Sequence, residues 1–187
     1  MTTIRTTTAG SLPRTPELIA ANAARTFAAD GLTLERTEEY DALVGAAVAG
    51  VVERQRSAGI TDPGDGEFGK AMSSAVDYGA WWSYSFQRVA GLALTDVDLF
   101  TAPPVLSEPG KIRLTSFLNR RDRQAFPGAY AESVERGKGA TPFPTTTGEL
   151  TYQGHEAVAA DVRHLTAALR EGETGFITSI APAAPCG

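Results

Sequence analysis

The sequence is poor in the residues that build metal and disulfide sites. It has one cysteine, Cys186, and two histidines, His155 and His164, in 187 residues. One cysteine cannot form a disulfide framework within the chain, so we expect a reducing compartment, the cytoplasm. The histidines are nine positions apart, which does not place them on one helix face, and no His-x-Cys pair occurs. These absences argue against a zinc site held by this chain alone.

Long apolar runs and an excess of positive charge are also missing. No stretch approaches the ~20 consecutive apolar residues of a membrane span, and residues 1–5 lack the apolar segment of a signal peptide. Lysine and arginine number 17 against 22 acidic residues, a net charge of −5. Nucleic-acid-binding domains usually show the opposite balance. We therefore expect no membrane and no nucleic acid among the partners.

Three segments carry helix signals. Apolar residues recurring every three or four positions predict a long helix from about Thr33 to Ala58. A shorter helix is predicted to begin with Thr15 as N-cap and Pro16 in its first turn, and to end near Gly31. A third helix is predicted over His155–Arg170. The apolar face of the long helix comprises Tyr40, Leu43, Val44, Ala47, Val48, Val51 and Val52. The apolar face of the third helix comprises Val158, Val162, Leu165 and Leu169.

Short segments typical of β-strands alternate with these helices. They are Arg5–Ala9, Ile60–Pro63, Thr145–Tyr152 and Gly175–Ile180. Alternating strands and helices favour a parallel sheet, so the expected fold class is α/β. The pattern is irregular between about 71 and 140, where Lys111–Thr115 is a further candidate strand. We interpret this stretch as an excursion from a single domain covering 1–187.

Several short motifs follow one another along the chain. They are Thr7–Arg14 (TTAGSLPR), Arg54–Ile60 (RQRSAGI), Asp65–Glu67 (DGE), Thr151–Val158 (TYQGHEAV) and Phe176–Pro182 (FITSIAP). This ordered set resembles the cobalamin-independent methionine synthase family, in particular its shorter bacterial relatives built from the catalytic barrel alone. The resemblance implies a (β/α)8 TIM barrel of the methionine synthase/uroporphyrinogen decarboxylase type. It also implies zinc-dependent S-methyl transfer from a folate to homocysteine, a step of methionine biosynthesis.

The length predicts an incomplete barrel. A complete barrel takes about 250 residues, whereas this chain offers roughly four strand–helix units and an excursion. The family's zinc ligands are a His-x-Cys pair, a Glu and a further Cys, all in the second half of the barrel. We therefore expect the N-terminal half, as a truncated product or one piece of a split enzyme. Zinc is expected in the complete enzyme and not on this chain by itself.

The candidate site residues follow two of the predicted strands, where barrel active sites are built. Gly10 allows close backbone approach, and Ser11 offers a hydroxyl and an N–H to a carboxylate. Asp65 and Glu67 are two positions apart, so in an extended chain they point to one side and suit an ammonium group. The resemblance implies that Gly10 and Ser11 contact the amino-acid substrate and Glu67 its amino group. A plain strand-to-helix turn is the alternative for Gly10 and Ser11, and an acidic turn facing water is the alternative for Asp65 and Glu67. Lys70 could be a salt-bridge partner, although a solvated side chain is the favoured interpretation.

Two further groups have a functional and a structural interpretation. An aromatic cluster could stack on a pterin, although a packed helix is the favoured interpretation. Its members are Trp81, Trp82, Tyr84 and Phe86. A basic run could hold a polyglutamate tail or a phosphate, although a solvated face is favoured. It comprises Arg120, Arg121 and Arg123.

The chain departs from the family pattern at two places. Ile180–Pro182 stands where the full-length synthases carry Asp-Glu-Pro, and His155 lies near the place of their folate-stacking Trp. Both departures leave room for another thiol alkyl transfer, of the epoxyalkane–coenzyme M type. The implied partners are a homocysteine-like thiol, a folate, and a second copy or a complementary half barrel. The alternative is a non-catalytic assembly subunit, because a half barrel exposes two unpaired sheet edges.

Overall fold

The structure, a computed structural model, describes residues 4–29, 33–70, 84–97, 108–111, 121–129, 131 and 141–179. The chain divides into two compact units. The first comprises Met1–Leu92 and Thr146–Gly187, and the second Ala93–Thr145. All four candidate site residues belong to the first unit. The second unit overlaps the predicted excursion at about 71–140, with different bounds.

The described residues define helices and strands of unequal length. The helices are α1 (Pro16–Ala23), α2 (Glu38–Ser57), α3 (Arg121–Ala125) and α4 (His155–Ala168). The strands are β1 (Val89–Val97) and β2 (Thr141–Tyr152), which pair in a two-stranded sheet. Of the helices in these ranges, none combines the length and the apolar character that crossing a bilayer requires.

The starts of α1 and α2 are set by hydroxyl caps. The Leu18 N–H donates to the Thr15 hydroxyl at 3.3 Å, and Pro16 follows, as the sequence predicts. The Tyr40 N–H donates to the Thr37 hydroxyl at 3.2 Å, so α2 begins at Glu38 and not near Thr33. The earlier start fails because Leu34 forms a β-bridge with Phe27. Helix α1 also ends sooner than predicted, at Ala23.

Helix α2 carries the core of the first unit, and its predicted apolar face is confirmed in large part. Val52 and Phe68 are 0% exposed, and both α1 and α4 pack against α2. The buried core residues are Leu18, Tyr40, Val44, Val48, Val51, Val52, Phe68 and Leu165. Removing these side chains from water supplies the main stabilisation of the unit.

The predicted apolar face of α4 is confirmed for Leu165, which is buried, and for Leu169, which packs against the core, and is wrong for its other two members. Val158 and Val162 are 39% and 45% exposed, whereas Asp161 is buried. The helix turns Asp161 inward because that carboxylate meets a buried arginine there, as described below. Gly45 of α2 permits the approach, since a Cβ at Gly45 would lie 3.2 Å from the His164 ring.

Three of the predicted strands are extended segments that lie side by side. The Asp62 N–H donates to the Thr6 carbonyl at 3.0 Å, and Gly64 forms a parallel bridge with Phe176. The segments around Thr6 and Asp62 are parallel as well. Further along both of them, the Leu12 N–H donates to the Gly66 carbonyl. The three segments are therefore parallel, and the one around residue 62 lies between those around residues 6 and 176.

The remaining predicted strand, Thr145–Tyr152, lies in β2 and pairs with β1, which the sequence analysis missed. The segment of Phe176 consequently lies directly beside the segment of Gly64. It is the third segment of the parallel set, whereas the sequence predicts it as the fourth strand. In the second unit, Lys111 bridges Glu108, and the rest of the candidate strand Lys111–Thr115 lies outside the described residues. The described ranges thus form a mixed helix and strand arrangement, and the incomplete (β/α)8 barrel stays a prediction.

Candidate functional site

The structure brings Ser11 and Glu67 into contact. The Ser11 hydroxyl donates a hydrogen bond to Oε2 of Glu67, 56 positions along the chain. Both residues follow the carboxyl ends of adjacent parallel segments, so they meet at one edge. Ser11 is exposed, whereas Glu67 is 1% exposed. Ser11 is therefore the exposed partner of a buried carboxylate.

Both turns use left-handed backbone. Gly10 has φ +84°, a conformation in which glycine carries no steric penalty. Glu67 has φ +62°, which costs a side chain with a Cβ about 1–2 kcal/mol. Arg14 helps to hold this turn, since its guanidinium donates to the carbonyls of Leu12, at 3.0 Å, and of Glu67. The sequence offered no indication that a non-glycine residue occupies this conformation.

Asp65 is buried beside Glu67 and does not face water. It is 5% exposed, and its Oδ1 accepts the Glu67 N–H at 2.9 Å. Burial raises the pKa of Asp65, and the charge of Lys70 opposes that rise. The water-facing acidic turn that was the alternative for this pair is therefore excluded. Asp65 shapes the turn on which Glu67 sits.

Lys70 is not solvated, so that prediction was wrong. The side chain is 1% exposed; Nζ donates to the Thr178 carbonyl at 3.2 Å and lies 4.8 Å from the Tyr84 ring centroid. Burial lowers the pKa of Lys70, although the charges of Asp65 and Glu67 favour the ammonium form. The ammonium is retained inside because carboxylates and a ring face replace water around it.

A second buried ionic group lies next to Lys70. Asp161 Oδ2 accepts from Arg88 at 2.7 Å and from the Tyr84 hydroxyl at 2.8 Å. The Arg88 guanidinium carbon lies 3.3 Å from the Tyr84 ring centroid. Burial and then the charge of Asp161 raise the pKa of Tyr84. Gly69 makes room, since a Cβ there would lie 2.8 Å from Asp161 Oδ1.

Several sequence candidates fall elsewhere. Trp81, Trp82, Arg120, Cys186 and Ile180–Pro182 lie outside the described residues. Arg121 is an exposed residue of α3. Exposed His155 begins α4, with its ring edge-to-face against Tyr152 at 4.8 Å between centroids. Among the described residues, neither Arg121 nor His155 forms a hydrogen bond with Ser11 or Glu67.

A metal site does not fit the described part of the chain. Within it, no group of three or more His, Cys, Asp or Glu side chains is placed to hold a metal ion. Asp161 is already bonded to Arg88, and Asp65 to the turn of Glu67. The zinc that the resemblance implies therefore has no ligand set among these residues, and no step is assigned to it.

Comparison with known proteins adds no family assignment. No family model matches this chain, and no curated protein is significantly similar to it. The resemblance to the methionine synthases stays a prediction that rests on the sequence motifs.

Proposed function

We propose that this chain is the substrate-binding half of a thiol alkyltransferase, resembling 5-methyltetrahydropteroyltriglutamate–homocysteine S-methyltransferase. The observation that carries the proposal is the hydrogen bond from Ser11 to Glu67. It joins the two motifs that the resemblance connects with an amino-acid substrate. It also joins an exposed residue to a buried carboxylate.

The roles follow from charge and exposure. A buried carboxylate is stabilised by a cation, and the ammonium group of an amino-acid thiol supplies one where Ser11 now donates. The exposed Gly10–Ser11 turn offers hydroxyl and backbone N–H donors to the substrate carboxylate. Asp65 holds the Glu67 turn by accepting its N–H and adds negative charge nearby. Glu67 and Ser11 are thus binding residues, and Asp65 positions Glu67.

The chemistry needs groups that these residues do not supply. In alkyl transfer the thiol loses its proton, a carbon–sulfur bond forms, and the bond between the alkyl carbon and its donor breaks. The Ser11–Glu67 pair orients the thiol substrate for this step. Thiol activation and the alkyl donor, a folate in the resembling family, are assigned to a complementary half barrel.

Calorimetric titration with L-homocysteine tests the proposal, with 4-mercaptobutyrate as the matched ligand that lacks the ammonium group. We expect Ser11→Ala and Glu67→Gln to weaken homocysteine binding about tenfold or more. Glu17→Gln, at an exposed position of α1, should leave binding unchanged. Equal affinity of the chain for both ligands contradicts ammonium recognition. Preferential binding of 2-mercaptoethanesulfonate supports the coenzyme M type of transferase instead.

An assembly subunit is the second candidate, favoured by one observation. Val158 and Val162 lie one turn apart on α4 and are 39% and 45% exposed. Adjacent exposed valines suit contact with another chain, as a homodimer or with a complementary half. Light scattering after size exclusion tests this: a concentration-independent monomer excludes self-assembly, and loss of a dimer in Val162→Lys supports it.

A further inference from the structure

A small cavity of the first unit is lined by three arginines, two of which, Arg36 and Arg88, also pair with Asp41 and Asp161 outside the lining. It has a volume of about 160 Å³. Its charged lining residues are the arginines Arg25, Arg36 and Arg88, and the rings of Tyr40 and Tyr84 form part of its wall. No Asp or Glu is among the described residues that line it. The residues of the proposed thiol-substrate site, Gly10, Ser11, Asp65 and Glu67, do not line it either.

The Arg25 guanidinium has no carboxylate partner among the described residues. It donates to the carbonyls of Leu34 and Glu35, both at 3.0 Å, and to Asn22 Oδ1 at 3.3 Å. Its guanidinium carbon lies 4.2 Å from the Tyr40 ring centroid. All of these partners are neutral, so they orient the guanidinium without cancelling its charge. Burial lowers the pKa of Arg25, as expected for a cation that lacks a counter-ion.

Arg88 and Arg36 add donors from other parts of the chain. Arg88 is 8% exposed, and its Nε is buried with no hydrogen-bond partner among the described residues. An unsatisfied buried donor is costly, which favours a ligand that accepts from it. Arg36 binds Asp41 through Nε at 2.8 Å and through Nη2, both to the same oxygen. Its side chain is 36% exposed, so Arg36 lies where a ligand enters.

We propose that this cavity binds a phosphate group, either free phosphate or the phosphate of a small monoester. The three guanidiniums come from separate segments: after α1, before α2 and before β1. A tetrahedral dianion presents oxygens in several directions and can accept from all of them, whereas a planar monocarboxylate presents one edge. The small volume and the apolar contribution of Leu34 and Val44 to the lining suit a compact ligand.

Titration of the purified full chain with inorganic phosphate tests the proposal. We expect saturable binding with a Kd in the range of about 1 mM, weakened by added potassium chloride. In ¹⁵N–¹H spectra the side-chain amide of Gln153, which lines the cavity, should shift with the same Kd. Acetate should bind more weakly than phosphate. Glycerol 3-phosphate binding more tightly than free phosphate identifies a monoester as the ligand, and the reverse order identifies phosphate itself.

Matched arginine variants make the test decisive. Arg36→Gln should weaken phosphate binding about tenfold, and Arg54→Gln, an exposed arginine of α2 that does not line this cavity, should not. Arg36 is preferred to Arg25 because Arg25 also holds the backbone before α2. Absence of saturable binding up to about 20 mM phosphate overturns the proposal. Equal affinities of Arg36→Gln and Arg54→Gln overturn it as well.

Discussion

Arg88 and Asp161, 73 positions apart in the sequence, form a buried ion pair with 2.7 Å between Nη2 and Oδ2. Their exposed fractions are 8% and 5%. The Tyr84 hydroxyl donates to the same oxygen at 2.8 Å, so one carboxylate oxygen satisfies two donors. This pair fixes the face that α4 turns toward α2. It also borders both the Lys70 ammonium and the arginine-lined cavity.

Replacing Asp161 by Asn tests the structural role of this pair. Breaking a buried pair from one side leaves an uncompensated charge, so Asp161→Asn should lower the free energy of unfolding by about 3 kcal/mol. Urea unfolding followed by circular dichroism measures this. Glu156→Gln, an exposed acidic residue of the same helix, is the control and should change stability by less than about 0.5 kcal/mol. Equal effects of the two substitutions refute the role assigned to Asp161.

The ion pair shows where sequence patterns stop being informative. Val158, Val162 and Leu165 form a regular apolar stripe, but of these three only Leu165 is buried, and the buried Asp161 lies outside the stripe. The true face depends on Arg88, a residue from a distant segment that no local pattern connects with Asp161. Lys70 was misjudged for the same reason, because its carboxylate neighbours include Asp161.

Local features were predicted correctly. The Thr15 cap and Pro16 determine the start of α1 within a few residues, so the sequence was sufficient there. The apolar period of α2 is similarly local and spans more than five turns, which makes its buried face easy to predict. The Ser11–Glu67 contact was accessible only through motifs, since spacing alone cannot show that two turns meet. The conformation of Glu67 was not predicted at all.

Asp65 predicts an unusual dependence of stability on pH. Because burial raises its pKa in the folded state, the stabilisation from this carboxyl is present below its unfolded-state pKa and is lost as pH rises through the folded pKa. The stability of Asp65→Asn relative to the wild type should therefore improve as pH rises from about 3 to 7. Unfolding in urea across this range measures the difference. A relative stability that falls with rising pH contradicts the assignment.

Glu173 should behave in the opposite way. Hydrogen bonds from Arg56 and from the Arg170 backbone lower the pKa of Glu173 to about 2. Its stabilisation is present above the unfolded-state pKa and is lost as pH falls through about 2. Carbon-detected titration of Glu173 should show the low midpoint in the wild type and a higher one in Arg56→Gln. An unchanged midpoint in that variant rules out Arg56 as the cause.

Glu67 offers a test that separates function from stability. Its backbone lies in the left-handed region at φ +62°, where glycine is relaxed and glutamate is strained. Glu67→Gly removes that strain, worth about 1–2 kcal/mol, and also removes the hydrogen bond from Ser11, worth about 1 kcal/mol. The substitution also removes a fully buried side chain whose charge favours the Lys70 ammonium, so we expect Glu67→Gly to be less stable than the wild type by about 2 kcal/mol.

Homocysteine binding distinguishes the roles of Glu67 when two substitutions are compared. Glu67→Gln keeps the buried volume and an acceptor for Ser11 but lacks the charge, so it should be more stable than Glu67→Gly. Both variants should lose affinity for homocysteine, as measured by calorimetry, with urea unfolding on the same samples. If Glu67→Gln instead keeps the affinity of the wild type for homocysteine, the carboxylate serves Lys70 and Arg14. In that case the strained turn is explained by folding, and the assignment of Glu67 to an ammonium ligand fails.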